Sequence, residues 1–309
     1  MTSSSLAPIV YFAYNRPQHT LQTLTALKKS RLSQQSELFI FIDGAKNNAN
    51  SETLQNIEAV KSIAASEQWC GKLHIQIAEK NKGLFQSIVS GITETVNKYG
   101  KVIVIEDDVL VSPGFLEYMN NALDLYESEE KVMHISGFSR AEFSELPIKE
   151  TSYFFNHTTC WGWATWKRSW KFFNPNPYEV KEAVSKKGDI YRLNMDGTFE
   201  FFWGLKAIGD GKFQSWNTIW QSIVFLNDGF CLHPTVSQVS NIGHDGSGTN
   251  CVSDDSFGLN QLSNEPVVLS KIPIEESKLI RNYNRTKLHS FKYRLIFAAK
   301  HYLRYIFWR

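Results

Sequence analysis

The first half of the chain alternates between short apolar runs and stretches in which apolar residues recur at helical spacing. The apolar runs predict β-strands at residues 8–14, 37–43, 73–78, 101–108 and 132–137. The stretches between them predict helices that begin at Pro17, cover residues 51–65 and 84–96, and end at Tyr126. Strands that alternate with helices predict an α/β fold, Rossmann-like, with a mostly parallel sheet flanked by helices.

Two local signals refine this pattern. In the first predicted helix, Leu21, Leu24 and Leu27 recur every three residues, which predicts one buried face. Ser112 and Pro113 are residue types that suit the N-cap and first turn of the fourth helix.

The second half has a less regular pattern and is rich in Trp and Phe between residues 153 and 220. Trp163, Trp166 and Trp170 have helical spacing and predict a helix that faces the core. We interpret this region as an extension packed on the same sheet. The chain then divides into three parts. Residues 1–150 and residues 151–260 are the two halves of one domain, and residues 261–309 are a C-terminal extension.

The composition is that of a folded protein with a sizeable core, because 42% of the 309 residues are hydrophobic and 14% are aromatic. The four cysteines are scattered, which indicates reduced thiols in place of a disulfide framework or a zinc site. The polar N-terminus has no basic segment, and the apolar run at residues 9–13 is too short for a signal peptide. These features predict a cytoplasmic protein.

The C-terminal tail differs in charge from the rest of the chain. After Glu276 it carries nine Lys and Arg residues and no acidic residue. Residues 287–309 mix these cations with large apolar and aromatic side chains, which predicts a basic amphipathic helix. Such a helix binds an anionic membrane surface, so residues 278–309 predict peripheral membrane contact. A helix docked on the protein's own acidic surface is the alternative. Nucleic-acid binding is not expected, since the cations are confined to the tail.

Three predicted strands end in polar residues: Asn15-Arg16, Asp43-Gly44 and Glu106-Asp107-Asp108. Ligands of such sheets bind beyond the carboxyl ends of the strands, so these residues are candidates for a site. Three adjacent carboxylates repel one another and are costly near a core unless a cation compensates them. Mg²⁺ or Mn²⁺ does so with oxygen ligands and also bridges to phosphate. A solvated strand end is the alternative.

The segment VIVIEDDVLVSPGFLEYM at residues 102–119 resembles the metal-binding strand of GT-A fold glycosyltransferases. The resemblance is closest to the group related to N-acetylglucosaminyltransferase I, which includes bacterial surface-polysaccharide transferases. Three donor-side segments fit it: YFAYNRP at 11–17, FIDG at 41–44 and EKNKGL at 79–84. Two acceptor-side segments also fit: CWGWATW at 160–166 and SNIGHDGSG at 240–248.

The resemblance implies a metal-dependent enzyme that moves a sugar from a nucleotide-sugar, in particular a UDP-sugar, with inversion. The acceptor would be a glycan or a lipid-linked glycan in bacterial surface-polysaccharide synthesis, reached at the cytoplasmic face of the inner membrane. Asp108 would bind the Mn²⁺ or Mg²⁺ directly. The donor would be bound by Asn15, Arg16, Asp43, Lys82, Glu106 and Asp107. Within that set, Glu106 and Asp107 would bond the ribose and sugar hydroxyls, and Asp43 would read the base.

An inverting transferase needs a carboxylate base near the acceptor hydroxyl. Asn217 stands where the family carries an aspartate, and an amide cannot accept the proton. Asp245 is the first substitute, although an Asp-Gly turn also explains it. Glu200 is the second. His244 is a candidate metal ligand, or a structural histidine.

Trp161 and Trp216 are the candidates for contact with the acceptor sugar, because aromatic faces pack well against sugar rings and against any other apolar surface. Two other functions remain open. Asn217 favours a catalytically inactive module that binds a glycan or nucleotide-sugar. The acidic cluster is also compatible with a metal-dependent nucleotidyltransferase, but the chain has Asn15-Arg16-Pro17 where a Gly-rich phosphate loop is expected.

Overall fold

The computed structural model describes residues 5–245, 262 and 264–288. Its centre is an eight-stranded sheet in the order β3-β2-β1-β4-β8-β6-β9-β7. The main strands have these bounds: β1 Ile9–Ala13, β2 Glu37–Ile42, β3 Lys72–Ile77, β4 Lys101–Glu106, β6 Val132–Ser136, β7 Ser152–Phe155, β8 Trp163–Trp166 and β9 Phe230–Pro234. Only β7 and β8 run antiparallel to their neighbours in this sheet. The predicted mostly parallel α/β sheet is confirmed.

A second, two-stranded sheet pairs β5 (Val109–Val111) with β10 (Val239–Asn241) in antiparallel orientation. The helices flank the large sheet and have these bounds: α1 Pro17–Lys29, α2 Ser51–Ser66, α3 Gly83–Tyr99, α4 Phe115–Leu125, α5 Lys167–Trp170, α6 Pro177–Lys187, α7 Ile190–Leu193, α8 Phe201–Gly209, α9 Trp216–Leu226 and α10 Lys278–Tyr283.

The sheet separates two hydrophobic clusters, one on each face. In β4, Ile103 and Ile105 contribute to one cluster, whereas Val102 and Val104 contribute to the other. All four side chains are fully buried. Because successive side chains of a strand point to opposite faces, an unbroken apolar run is what a strand covered on both faces requires. This is why the run before Glu106 was readable as a central strand.

Two local predictions in the first half are wrong. Leu21 is 42% exposed, whereas Thr20, Thr23, Leu24 and Leu27 form the buried face of α1. Ser112 does not cap α4, because its hydroxyl donates to Gln238 Oε1 at 2.7 Å and the helix begins three residues later.

The tryptophan-rich segment forms a strand where we predicted a helix. Trp163–Trp166 is β8, which lies between β4 and β6, and Trp170 follows in the short α5. The predicted burial of these side chains is confirmed, since Trp163, Trp166 and Trp170 are at most 4% exposed. Tryptophans spaced three and four residues apart do not distinguish a helix from a strand when the segment is buried on both faces. Residues on either side of position 150 therefore share one sheet.

The antiparallel direction of β8 matters for the position of the residues before it. Trp163 pairs with Val104, and Ser136 pairs with Trp163 from the other side. The start of β8 consequently lies at the carboxyl end of β4. Trp161, two residues earlier, is brought to the same edge as Glu106.

The C-terminal extension begins against the outer strand β7. Ser277 N donates to Phe154 O at 2.9 Å, and Ile280 of α10 is fully buried. Arg281 forms a two-pronged ion pair with Asp196, with Nε–Oδ2 and Nη2–Oδ1 distances of 3.0 and 2.6 Å. The predicted helix at 287–309 lies outside the described residues except for its first two, so that helix and its membrane contact stay predictions. In the part that is described, none of the helices has the length and apolarity needed to span a bilayer.

Trp163 is the side chain on which we expect the second-half packing to depend most. It is fully buried and stacks on His134 and Trp216, each with ring centroids 5.0 Å apart. Trp163→Ala should lower the free energy of unfolding by about 3–5 kcal/mol, measured by urea denaturation. Phe172→Ala is the control, since Phe172 is 45% exposed and its loss should change stability by at most about 0.5 kcal/mol. Equal losses for both variants would contradict this packing.

Candidate active site

The candidate site lies at the carboxyl ends of β1, β2 and β4. Phe12 of β1 pairs with Glu106 of β4, so the residues that follow each strand are neighbours. Asp107 and Asp108 form the turn between β4 and β5. Thr23 Oγ1 donates to the Asp107 carbonyl at 2.9 Å and holds that turn against α1.

Arg16 binds both aspartates of this turn. It immediately precedes α1, whose first residue is Pro17, so the helix begins directly beyond β1. Its Nη2 atom contacts Asp107 Oδ1 and lies 3.0 Å from Asp108 Oδ2, and its Nε donates to Asp107 Oδ2 at 3.3 Å. One positively charged nitrogen therefore touches both carboxylates, which shows that they converge on a single cation position.

The cluster has more acidic groups than one guanidinium can neutralise. Burial, followed by the charges of Asp108 and Asp107, raises the pKa of Glu106 well above its usual value. Burial also raises the pKa of Asp107 to about 6, although the Arg16 charge opposes this. Burial by itself would lower the pKa of Arg16, but the charges of Asp107 and Asp108 outweigh it and raise that pKa. A bound divalent cation would relieve this imbalance.

The donor set fits a cation that shares its coordination with a ligand. Asp107 and Asp108 converge on one point, but no group of three His, Cys, Asp or Glu side chains suited to a metal ion occurs in the described residues. If two carboxylates bind an octahedral Mg²⁺ or Mn²⁺, several of its coordination positions remain for phosphate oxygens and water. This is usual for Mg²⁺ sites that also hold a phosphorylated substrate.

The segment after β10 lies directly on Asp108. Ile242 N donates to the Asp108 carbonyl at 2.8 Å. At Gly243, a Cβ atom would lie 2.3 Å from Asp108 Oδ2, so no larger residue fits without displacing the carboxylate. His244 follows and meets Trp161 edge-on, with ring centroids 5.6 Å apart. The structure thus brings His244 and Trp161, two residues singled out from the sequence, to the acidic cluster.

His19 is a residue of this site that sequence reasoning missed. Its Nε2 lies 3.3 Å from Asp245 Oδ2 and 3.3 Å from the Ile242 carbonyl oxygen. His19 stands three residues after Arg16, a spacing that places both on one face of the start of α1. That spacing is the feature of the sequence from which His19 could have been identified as a site residue. The contact puts Asp245, whose side chain is 47% exposed, beside the cluster.

Asp43 and the residues near Lys82 form a separate part of the site at the end of β2. Asp43 is 8% exposed, and its carboxylate accepts hydrogen bonds from Gly44, Asn81, Lys82 and Gly83. The Lys82 side chain is exposed. Asn15, next to Arg16 in the β1–α1 connection, is partly buried.

The helices of the second half carry Asn217 and Trp216, and Glu200 directly precedes one of these helices. Asn217 is in the first turn of α9, and its Oδ1 accepts from Thr158 Oγ1 at 3.0 Å. Glu200 is the residue before α8. Trp216 is 4% exposed and stacks on Trp163 in the core, so we withdraw it as an acceptor-binding residue. Trp161 is partly exposed and packs edge-on against Phe138 at 4.6 Å between ring centroids.

The sequence pattern of the GNT-I family matches residues 2–178 of the chain, which is more than half of its length. No curated protein matches the chain in sequence.

Several solved structures resemble the fold at low sequence identity. One is the mannosyltransferase PcManGT from Pyrobaculum calidifontis in complex with GDP-Man and Mn²⁺, at 11% identity and a TM-score of 0.42, covering 74% of this chain and 70% of that chain. S. aureus TarS is 14% identical with a TM-score of 0.31, over 47% of this chain and 24% of that chain. An active-site mutant of LgtC is 12% identical with a TM-score of 0.32, over 59% and 65%. Such scores carry no conclusion about substrates.

Proposed function

The chain belongs to the GNT-I family of nucleotide-sugar glycosyltransferases, and we propose that it transfers a sugar from a UDP-sugar to a glycan or lipid-linked acceptor, with inversion. We further propose that the reaction uses Mn²⁺ or Mg²⁺ and serves bacterial surface-polysaccharide synthesis. The first half binds the donor in this proposal, and the tryptophan-rich half binds the acceptor.

The convergence of Asp107 and Asp108 on one nitrogen of Arg16 is the observation that carries the proposal. It supports a site in which Asp108 is a direct ligand of the cation and Asp107 lies within reach of the same position. When bound, the cation would neutralise the charge that develops on the leaving diphosphate. Glu106 and Asp107 would bond the donor's ribose and sugar hydroxyls, and His244 is a further candidate ligand.

Arg16 has a second function in this proposal. Its guanidinium neutralises the aspartates in the free protein, because it lies in the position where a cation contacts both of them. With metal and donor bound, the same side chain would be available for a bidentate contact to the diphosphate. Asn15 and Lys82 would complete the nucleotide-binding surface.

We propose Asp245 as the base that accepts the acceptor's proton. Asn217 cannot do so, and its side-chain oxygen already accepts from Thr158. The position of Asp245 supports the assignment, since its side chain is 47% exposed and it lies two residues after Gly243, which packs on Asp108. Glu200, which precedes α8, is the alternative base.

A catalytically inactive module that binds a glycan or nucleotide-sugar is the second candidate function. Asn217 favours it, because the position expected to carry the base holds an amide engaged with Thr158. This candidate predicts donor binding without turnover. A nucleotidyltransferase is not favoured by any contact within the described residues.

Asp108→Asn should abolish metal-dependent turnover while preserving the size of the side chain. We expect the release of UDP from UDP-glucose, UDP-galactose and UDP-N-acetylglucosamine in Mn²⁺ to fall by roughly 100-fold or more, because a bound cation contributes several kcal/mol to such a transition state. The control is Glu182→Gln on the exposed side of α6, which should retain the wild-type rate. Wild-type turnover in Asp108→Asn would refute the metal assignment.

Asp245→Asn tests the base. Removal of a general base typically costs about 10²–10⁴-fold in rate. We expect kcat for UDP-sugar hydrolysis to fall within that range, while the calorimetric affinity for UDP with Mn²⁺ stays unchanged. Glu200→Gln in the same assay distinguishes the two candidates. If Glu200→Gln loses turnover and Asp245→Asn does not, Glu200 is the base and the assignment of Asp245 is wrong.

A further inference from the structure

We infer that His19 is a positioning residue, which holds residues 242–245 against the acidic turn and orients the carboxylate of Asp245. The inference rests on the proposed function in taking Asp245 as the base. The attachment of residues 242–245 to helix α1 is a property of the free protein and can be tested without a substrate.

His19 lies in the first turn of α1 and reaches the 242–245 segment with one ring nitrogen. Its Nε2 lies 3.3 Å from the Ile242 carbonyl oxygen and 3.3 Å from Asp245 Oδ2. Both neighbours are hydrogen-bond acceptors, so Nε2 is the nitrogen that carries the proton and donates. The His19 side chain is only 13% exposed, which limits competition from water for this N–H group. One donor is thus shared between a backbone carbonyl and a carboxylate.

Ile242 is held through both of its backbone polar groups. Its N–H donates to the Asp108 carbonyl at 2.8 Å, and its own carbonyl lies against His19. The next residue is Gly243, whose N–H donates to Asn241 Oδ1 at 2.7 Å. The 242–245 segment therefore lies between the acidic turn on one side and α1 on the other, and His19 supplies a contact on the helix side.

One face of α1 holds two parts of the site that are distant in sequence. Thr23 Oγ1 donates to the Asp107 carbonyl and attaches the acidic turn to the helix. His19, four residues earlier, attaches the 242–245 segment, although Ile242 is 223 residues away along the chain. Residues four apart are neighbours on a helix surface. The same face of α1 therefore holds both the turn that carries the proposed metal ligand and the segment that carries the proposed base.

A general base must be aligned with the proton that it accepts. In the proposed reaction the acceptor oxygen bonds the anomeric carbon, its proton moves to Asp245, and UDP departs with the electrons of the broken bond. A misplacement of about 1 Å can cost about 100-fold in rate. The contact with His19 restrains a carboxylate whose side chain is 47% exposed. His19 itself exchanges no proton with the substrate, so its effect on the rate passes through Asp245.

A double-mutant cycle on kcat tests whether the effect of His19 passes through Asp245. The assay is the release of UDP from UDP-glucose, UDP-galactose and UDP-N-acetylglucosamine in Mn²⁺. His19→Ala should lower kcat by about 10- to 100-fold, because the base loses its orientation. In a protein that already carries Asp245→Asn, the same substitution should lower kcat by no more than about twofold, because residues that act as one unit are not additive.

Three single variants separate the N–H donor of His19 from the packing of its ring. His19→Gln keeps a side-chain N–H donor and should restore kcat to within about threefold of the wild-type value. His19→Phe keeps a ring without a donor and should lose as much as His19→Ala. Gln18→Ala is the matched control, since Gln18 is an exposed residue of the same helical turn and its loss should leave kcat unchanged.

Amide hydrogen exchange of Ile242 in the free protein tests the attachment of the segment directly. This amide is protected while the segment stays on the Asp108 carbonyl. We expect His19→Ala and His19→Phe to exchange it about three- to tenfold faster, the effect of losing one typical hydrogen bond. His19→Gln and Gln18→Ala should exchange it at the wild-type rate.

Unchanged Ile242 exchange in His19→Ala would overturn the attachment. Additive losses of kcat from His19→Ala and Asp245→Asn would overturn the positioning of Asp245 by His19. Failure of the proposed function gives a different result: the wild-type protein releases no UDP, or Asp245→Asn keeps full turnover. In either case the exchange of Ile242 still decides whether His19 holds the segment.

Discussion

The arrangement of the site depends on the electrostatic balance between the three carboxyl groups at the end of β4 and the guanidinium of Arg16, which follows β1. Asp107 and Asp108 both contact Arg16, and Glu106 lies next to them with its pKa raised by burial and by their charges. A buried cluster of this kind is unfavourable unless positive charge is supplied. In the free protein Arg16 supplies part of it. The proposed divalent cation would supply the rest and would also bind a diphosphate.

The topology of the sheet explains why distant parts of the sequence meet at this cluster. The pairing of β1 with β4 places Arg16 beside the acidic turn, and the antiparallel β8 returns Trp161 to the same edge. The pairing of β10 with β5 carries the next segment of chain onto Asp108, where Gly243 allows the close approach. Three elements from different parts of the chain thus form the surroundings of one turn. The loop whose Lys82 and Gly83 amides donate to Asp43 completes the edge on the side of β2.

The strands of the first half and the position of the acidic cluster were predictable from sequence because each depends on local pattern. An unbroken β-branched run before Glu106 has few interpretations, and parallel strands bring their carboxyl ends together. The contacts of His19 with Asp245 and of Gly243 with Asp108 were not predictable, since they join residues more than one hundred positions apart. The error at Trp163–Trp166 has a different cause: a segment buried on both faces has no polar side to reveal its period. The hydrogen bonds of Asp43 were not predictable either, because three of its four donors come from a loop whose path only the structure shows.

The most direct measurement for the proposed function is the midpoint of thermal unfolding with a panel of UDP-, GDP-, dTDP- and CMP-sugars, each in Mn²⁺ and in EDTA. A ligand raises the midpoint when it binds the folded state in preference to the unfolded one. We expect a UDP-sugar to raise it in Mn²⁺ and to lose that effect in EDTA, because the diphosphate binds through the cation at Asp108. A midpoint that no donor raises, or that a donor raises equally in EDTA, would contradict a metal-dependent nucleotide-sugar site at this cluster.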